Sequence, residues 1–375
     1  MVYDLTLKEV EKIIAFSKDI DEPESIGSYT EEDCIFLLKN INGLIDEQGN
    51  EDREGSMAEG VHYSEMLPIE YQPSEDYIDL FHKSLADSAK RLADYVAYVS
   101  ELIYKDRGED VVIVSLARAG SPIGVLIKRY LNLKYQIEAH HYSISIIRGK
   151  GFDENAIKYI LRKHMTTNLQ FVDGWTGKGA IKRVLIDACN DFYDKYEIQL
   201  NPSLAVLADP SQSVEIFGTR EDFLIPSACL NSTVSGLVSR TVERNDIVGE
   251  NDFHGAKFYE EWLGEDLSNY FVDEISKHFD INKERQVMKG NVLDSGWREV
   301  ENIQREFNIS DINKVKPGVG ETTRVLLRRV PWKILVKDID SPDLKHILIL
   351  ARERNVQIEE YSNMNYSCVG LIKEL

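Results

Sequence analysis

Cysteine is scarce in this chain. Only four occur in 375 residues, at positions 34, 189, 229 and 368, and no two form a C-x-x-C pair. That spacing argues against a disulfide-stapled scaffold and against a thiolate zinc site. Long apolar runs are missing too: none approaches the roughly 20 residues that a bilayer span requires. The opening Met1-Val2-Tyr3-Asp4 lacks the basic-then-apolar pattern of a secretory leader. A cytoplasmic protein without membrane contact is expected. Positive charge is also short, with 44 Lys+Arg against 64 Asp+Glu and a net charge of −20. The shortage is uneven. Residues 285–375 sum to about +2, which leaves about −22 for the first 284. An acidic body repels nucleic acid non-specifically, so it can take an anion only through a local device such as backbone amides or Mg²⁺. Among the eight histidines, the adjacent His140-His141 would point to opposite faces of a strand and cannot chelate one ion.

What is present reads as globular: 43% hydrophobic and 29% charged residues, on a chain long enough for two or three domains. Residues 1–55 read as a short N-terminal helical segment. Thr30 followed by three acids looks like an N-cap opening a helix through Ile35, Leu37 and Leu38. Residues 46–55 read as an exposed acidic loop. A long amphipathic helix is predicted over 74–105, because Ile78, Phe81, Leu85, Ala89, Leu92, Val96 and Val99 recur every three or four residues. Beyond it, extended stretches at 111–114, 137–147, 169–172, 204–207 and 223–225 alternate with helical patterns. That alternation predicts an α/β domain over 56–284, a largely parallel sheet with helices on both faces. Ligands of such sheets bind beyond the carboxyl ends of the strands. A second, small α/β unit is expected over 285–375.

Two turns carry the chemistry. In Ser115-Leu116-Ala117-Arg118-Ala119-Gly120-Ser121-Pro122, a buried strand ends in small residues around one arginine. Ser121 is expected as N-cap and Pro122 as the first helical residue, offering free amides to an anion. In Asp173-Gly174-Trp175-Thr176-Gly177-Lys178-Gly179-Ala180, a strand tip bears an acid, and two glycines let amides curl around a phosphate before a helix. Asp173 there is suited to ribose hydroxyls or to Mg²⁺ through water. The loop is not a Walker A motif, whose spacing and Lys-Ser/Thr ending are missing.

Together these turns resemble the ligand loops of type I phosphoribosyltransferases. The resemblance implies that Arg118, Ala119 and Gly120 hold pyrophosphate, that Asp173 contacts ribose and metal, and that Thr176, Gly177, Lys178 and Gly179 hold a 5-phosphate. Arg148 and Lys150, in Arg148-Gly149-Lys150-Gly151, fall where that family keeps a mobile catalytic hood. The sequence departs from the family at Gly174, where a second acid is usual, and at Lys178, within a loop that usually reads Thr-Gly-Gly-Thr. Residues 225–240, rich in small polar side chains, look like a loop over the sheet's carboxyl edge, and His62-Tyr63-Ser64-Glu65 is placed to fold over the same site. The chain as a whole resembles the bacterial StiP-type family, found with tellurite and stress-response systems. That family joins a phosphoribosyltransferase-like region to a pelota-type domain and carries the label cysteine protease. The implied function is Mg²⁺-dependent transfer of a phosphoribosyl group from phosphoribosyl pyrophosphate to a base or nucleoside-like metabolite. The alternatives are a nucleotide-sensing RNA-binding regulator without turnover, and a cysteine protease using Cys229 with His254.

In the tail, Lys316-Pro317-Gly318-Val319-Gly320-Glu321-Thr322-Thr323-Arg324 opens a helix with glycines, an acid and a base one turn apart. It resembles pelota-type RNA-binding domains. The resemblance implies an RNA-binding helix start at Gly318, where Glu321 and Arg324 touch bases of structured RNA and Arg328 and Arg329 touch phosphates. A solvated basic face used for domain packing or homodimer formation fits the same residues.

Overall fold

The computed structural model describes residues 5–70 and 72–372, and the side chains of residues 50, 51, 54, 58, 327 and 328 lie outside that description. Six apolar runs form one fully parallel sheet: β1 (Ile35–Leu37), β2 (Val112–Leu116), β3 (His140–Ile144), β4 (Leu169–Trp175), β5 (Leu204–Ala208) and β6 (Ile216–Thr219), in spatial order β1-β3-β2-β4-β5-β6. The helices are α1 (Leu7–Ser17), α2 (Asn50–Ala58), α3 (Glu75–Arg107), α4 (Gly120–Tyr135), α5 (Glu154–His164), α6 (Ala180–Tyr196) and α7 (Ser268–Ser276). Every residue of β2 and β5 is buried, as expected of strands covered on both faces. One face packs on α3, α4 and α7 through Leu92, Val96, Ile123, Ile127 and Phe271. The other packs on α1, α5 and α6 through Ile13, Ile157, Ile160, Leu185 and Phe192. The 33-residue α3 follows its apolar stripe and ends at Gly108, whose φ of 76° stops the helix.

The N-terminal segment departs from its expected helix. Thr30 closes a turn by accepting from the amides of Asp33 and Cys34, and β1 then pairs with β3. Ile35-Phe36-Leu37-Leu38 is a contiguous apolar run without helical spacing, and the sheet edge buries it as a strand. Residues 46–55 form a two-residue bridge and the first part of α2 rather than an open loop. No strand forms over 223–225; β6 lies just upstream, and Phe223, Leu224 and Ile225 are buried against α3 as irregular chain. His140 is exposed and His141 buried, on opposite faces as the strand period requires.

The C-terminal unit is a mixed four-stranded sheet of β7 (Val315–Pro317), β8 (Pro331–Val336), β9 (Gln357–Glu360) and β10 (Cys368–Ile372), ordered β7-β10-β8-β9. Its helices are α8 (Ser295–Glu306), α9 (Val319–Arg328) and α10 (Lys345–Glu353). α8 covers one face through Val300 and Ile303. α9 and α10 cover the other, where Val319, Leu326 and Ile347 join the same apolar cluster as Ile225 and Ala228 of the body. The two units therefore share packed core. No helix among the described residues is long and apolar enough to cross a membrane.

Candidate functional site

The strands' carboxyl ends converge on a seam between the two units. Residues 225–256 run across this edge, as the small polar stretch had suggested. Ser232 donates its amide to Glu70 at 2.8 Å, and Thr241 meets Ser145 beyond β3 at 2.7 Å. Arg118 anchors the crossing. It forms an ion pair with Glu70 at 2.6 Å and donates to the Val238 carbonyl at 3.2 Å. Burial alone would raise the Glu70 carboxyl, but Arg118 and the Ser232 amide hold it below its ordinary range. The Ala117–Arg118 peptide bond is cis. The α4 start falls two residues earlier than expected: Ala119 is the N-cap and Gly120 the first helical residue, while Ser121 bonds Ser143. Gly120 is required by close approach, since a Cβ there would lie 2.5 Å from the Val172 carbonyl oxygen.

At the tip of β4, Asp173 accepts the Gly174 amide at 2.7 Å, and burial raises its carboxyl to about 7. Among the described residues, no three His, Cys, Asp or Glu side chains gather to hold a metal ion. Mg²⁺ is held by one or two carboxylates together with substrate phosphates, so Asp173 alone would need phosphate oxygens beside it to hold the ion. The following loop is already committed. Thr176 donates to the buried Asp209 at 2.6 Å, the Gly177 carbonyl accepts from Tyr366 at 2.8 Å, and Lys178 donates to the Ile312 carbonyl at 3.1 Å. Gly179, with φ of 77°, is the N-cap of α6. Two of these contacts, through the Gly177 carbonyl and the Lys178 amine, tie the loop to the C-terminal unit. Burial, then the nearby Lys316 and Arg148, bring the Lys178 amine down to about 8.

Arg148 and Lys150 are exposed. The Arg148 amide donates to the Tyr63 hydroxyl at 2.7 Å, and Lys150 sits 3.3 Å from Glu243, so residues 62–65 do fold over this segment. Cys229 is wholly buried, on the turn Pro226–Ala228 that packs between α3 and α9. His254 lies farther along the crossing loop, its Nδ1 at 2.9 Å from the Ser145 hydroxyl and its amide donating to Asp153 at 2.6 Å.

From the other side, the start of α9 faces the seam. Gly318, at φ 93°, packs on Asp222, whose carboxylate accepts the amides of Val319 (2.9 Å) and Ser367 (2.8 Å). Burial lifts Asp222 to about 6 despite these bonds. Glu321 and Arg324 pair at 3.0 Å, and Arg324 also lies 5.1 Å over the Trp175 ring and 3.3 Å from the Ala228 carbonyl. Arg328 ends α9, and its side chain lies outside the described residues. Sequence reasoning missed Glu70, Asp209 and Asp222, each of which works through partners tens of residues or more away in the chain. Trp175 lay inside the motif already singled out.

The family described as "Tellurite-like stress resistance cysteine protease StiP" matches residues 27–276, and the PELOTA RNA binding domain matches residues 294–374. A curated relative from Acinetobacter baylyi (strain ATCC 33305 / BD413 / ADP1), "Cysteine protease StiP", is 32% identical over 367 residues, covering 93% of this chain and 94% of that protein. These matches overturn the expected Mg²⁺-dependent phosphoribosyltransferase: family and relative alike are described as cysteine proteases. The magnesium and phosphoribosyl pyrophosphate expectations rested on that reaction. The chain belongs to the StiP family.

Proposed function

We propose that this member of the StiP family is a cysteine protease with Cys229 as its nucleophile, and that its C-terminal domain binds RNA. The protease reading is supported by likeness to a relative so named across nearly the full length of both chains. The choice of cysteine rests on one observation: Cys229 alone lies in irregular chain on the carboxyl-edge loop. Cys189 is built into α6, Cys368 begins β10, and Cys34 closes the Thr30 turn just before β1. Burial drives the Cys34 and Cys368 thiols well above the ordinary range and Cys189 to about 12; Cys229 is wholly buried as well, so it is position, not burial, that sets it apart.

In this reading His254 takes the Cys229 thiol proton and the sulfur attacks a peptide carbonyl. His254 returns that proton to the leaving amine, and water then releases the acyl group as a carboxylic acid and restores the thiol. The His254 Nδ1 contact with Ser145 fixes the ring and leaves Nε2 for proton transfer. Gly320 and Arg324 rest on Ala228, so turnover requires the C-terminal domain to lift from the Cys229 turn. The likeness of the body to a phosphoribosyltransferase fold is supported by the turns after β2 and β4, and we read it as a scaffold used without ribosyl transfer.

The test is hydrolysis of an unstructured protein substrate by the wild type, Cys229→Ser and His254→Ala, with circular dichroism to establish folding. Loss of hydrolysis in a folded Cys229→Ser supports the assignment. Hydrolysis undiminished in that variant, or no hydrolysis by the wild type, rejects it.

A further inference from the structure

The neighbours His140 and His141 cannot chelate one ion together, and the fold gives each ring a different companion. His141 turns into the core and meets the Ser115 hydroxyl at 2.7 Å. His140 stays exposed at the start of β3 and meets His164, the last residue of α5. Their ring centroids lie 4.4 Å apart, with the planes tilted by 43°. Tyr142 follows His140 by two residues and so shares its side of the strand. Its hydroxyl lies 2.8 Å from His164 Nε2.

The spacing of the two rings suits a shared ion. An imidazole nitrogen binds a metal at about 2.0 Å with the ring centroid about 1.2 Å behind it, so each centroid stands about 3.2 Å from the ion. Centroids 4.4 Å apart then subtend an angle near 90° at that ion. This is the cis angle of a tetragonal site, narrower than the tetrahedral angle that zinc takes. Orientation supports the same reading. A metal-binding histidine almost always donates its other ring N–H to a fixed acceptor. When His164 Nε2–H donates to Tyr142, the lone pair of Nδ1 is free for a metal.

Charge and access agree with the geometry. Burial, then the nearby His140 and Lys163, bring His164 down to about 4, and burial with Lys128 lowers His140. Both rings are therefore neutral at pH 7, the form that ligates a metal. The neighbouring cations are engaged elsewhere: Lys163 lies 3.8 Å from Glu22, and Lys128 donates to the Glu32 carbonyl. Exposure of His140 gives an ion its path from solvent.

We propose that His140 and His164 form a surface site for a divalent transition metal of tetragonal preference, Cu(II) or Ni(II), with water in the remaining positions. The site lies at the amino end of the sheet. It is separate from the carboxyl-edge loop that carries Cys229 and does not depend on the protease reading.

The experiment titrates the full-length protein with Ni(II) by calorimetry and records the electron paramagnetic resonance spectrum of its Cu(II) complex. The wild type is compared with His140→Ala, His164→Ala, Tyr142→Phe and His278→Ala, each checked by circular dichroism. The wild type should bind one ion per chain, with two nitrogens coupled to Cu(II). Removal of either paired ring should abolish that site, and Tyr142→Phe should weaken it by at least about tenfold. His278 is exposed and outside the pair, so its loss should change neither readout. No binding by the wild type, or binding retained in a folded His140→Ala, overturns the site.

Discussion

Asp173→Asn separates a stability effect of charge from one of shape. The carboxyl sits at the β4 tip with the Gly174 amide as its hydrogen-bond partner, and burial raises it from 3.8 to about 7. Below about pH 4 it is neutral in both the folded and unfolded chain, so it costs nothing there. As pH rises through 7, the unfolded chain ionises freely while the folded chain resists, and stability is lost. Three units at about 1.4 kcal/mol each set an upper figure of about 4 kcal/mol. The half-buried side chain retains some hydration, which reduces the expected effect to roughly 2 kcal/mol. Asparagine keeps an oxygen for the Gly174 amide and carries no charge. Urea denaturation at about pH 4.5 and about pH 8 should therefore show the variant gaining roughly 2 kcal/mol on the wild type at the higher pH. An equal offset at both pH values would refute the reasoning.

Other expectations follow from single contacts. Gly124→Ala would place a Cβ 2.0 Å from the Ser115 hydroxyl and 2.2 Å from His141 Nε2, breaking their 2.7 Å hydrogen bond inside the core. Thermal melting should register a loss of about 3 kcal/mol, and an unchanged melting temperature would contradict the packing described. Asp222→Ala removes the acceptor for the Val319 and Ser367 amides, and hydrogen exchange at the start of α9 should quicken at least tenfold, for about 1.5 kcal/mol per lost bond. Exchange as slow as in the wild type would show that the domains are held otherwise. Glu70→Gln leaves Arg118 buried without its counter-charge and should cost about 3 kcal/mol at neutral pH. Because the folded Glu70 carboxyl is held low, its contribution is present above the unfolded value and lost as pH falls through the folded one. The wild type and Glu70→Gln should accordingly converge in acid.

Local pattern made much of the body legible. The stripe along α3 follows from residues three and four apart, and β2, β4 and β5 follow from short apolar runs between helical patterns. The Asp173–Gly179 turn was visible for the same reason: its glycines and acid are neighbours in sequence. β1 was not legible as a strand, because its partner β3 lies about a hundred residues away and only the sheet edge decides the matter. The groups that fill the site were hidden in the same way. Nothing near Thr176 announces Asp209, nothing near Gly177 announces Tyr366, and nothing near Arg118 announces Glu70. The loop whose glycines and acid stand out in the sequence is tied down by contacts 33 to 189 residues distant.

The most direct test of the Cys229 assignment is to trap the nucleophile. The full-length protein would be incubated with a peptidyl chloromethyl ketone and the alkylated cysteine located by peptide mass spectrometry. The account predicts a single adduct, on Cys229. An adduct on Cys34, Cys189 or Cys368 with Cys229 unmodified, or no adduct, would contradict it.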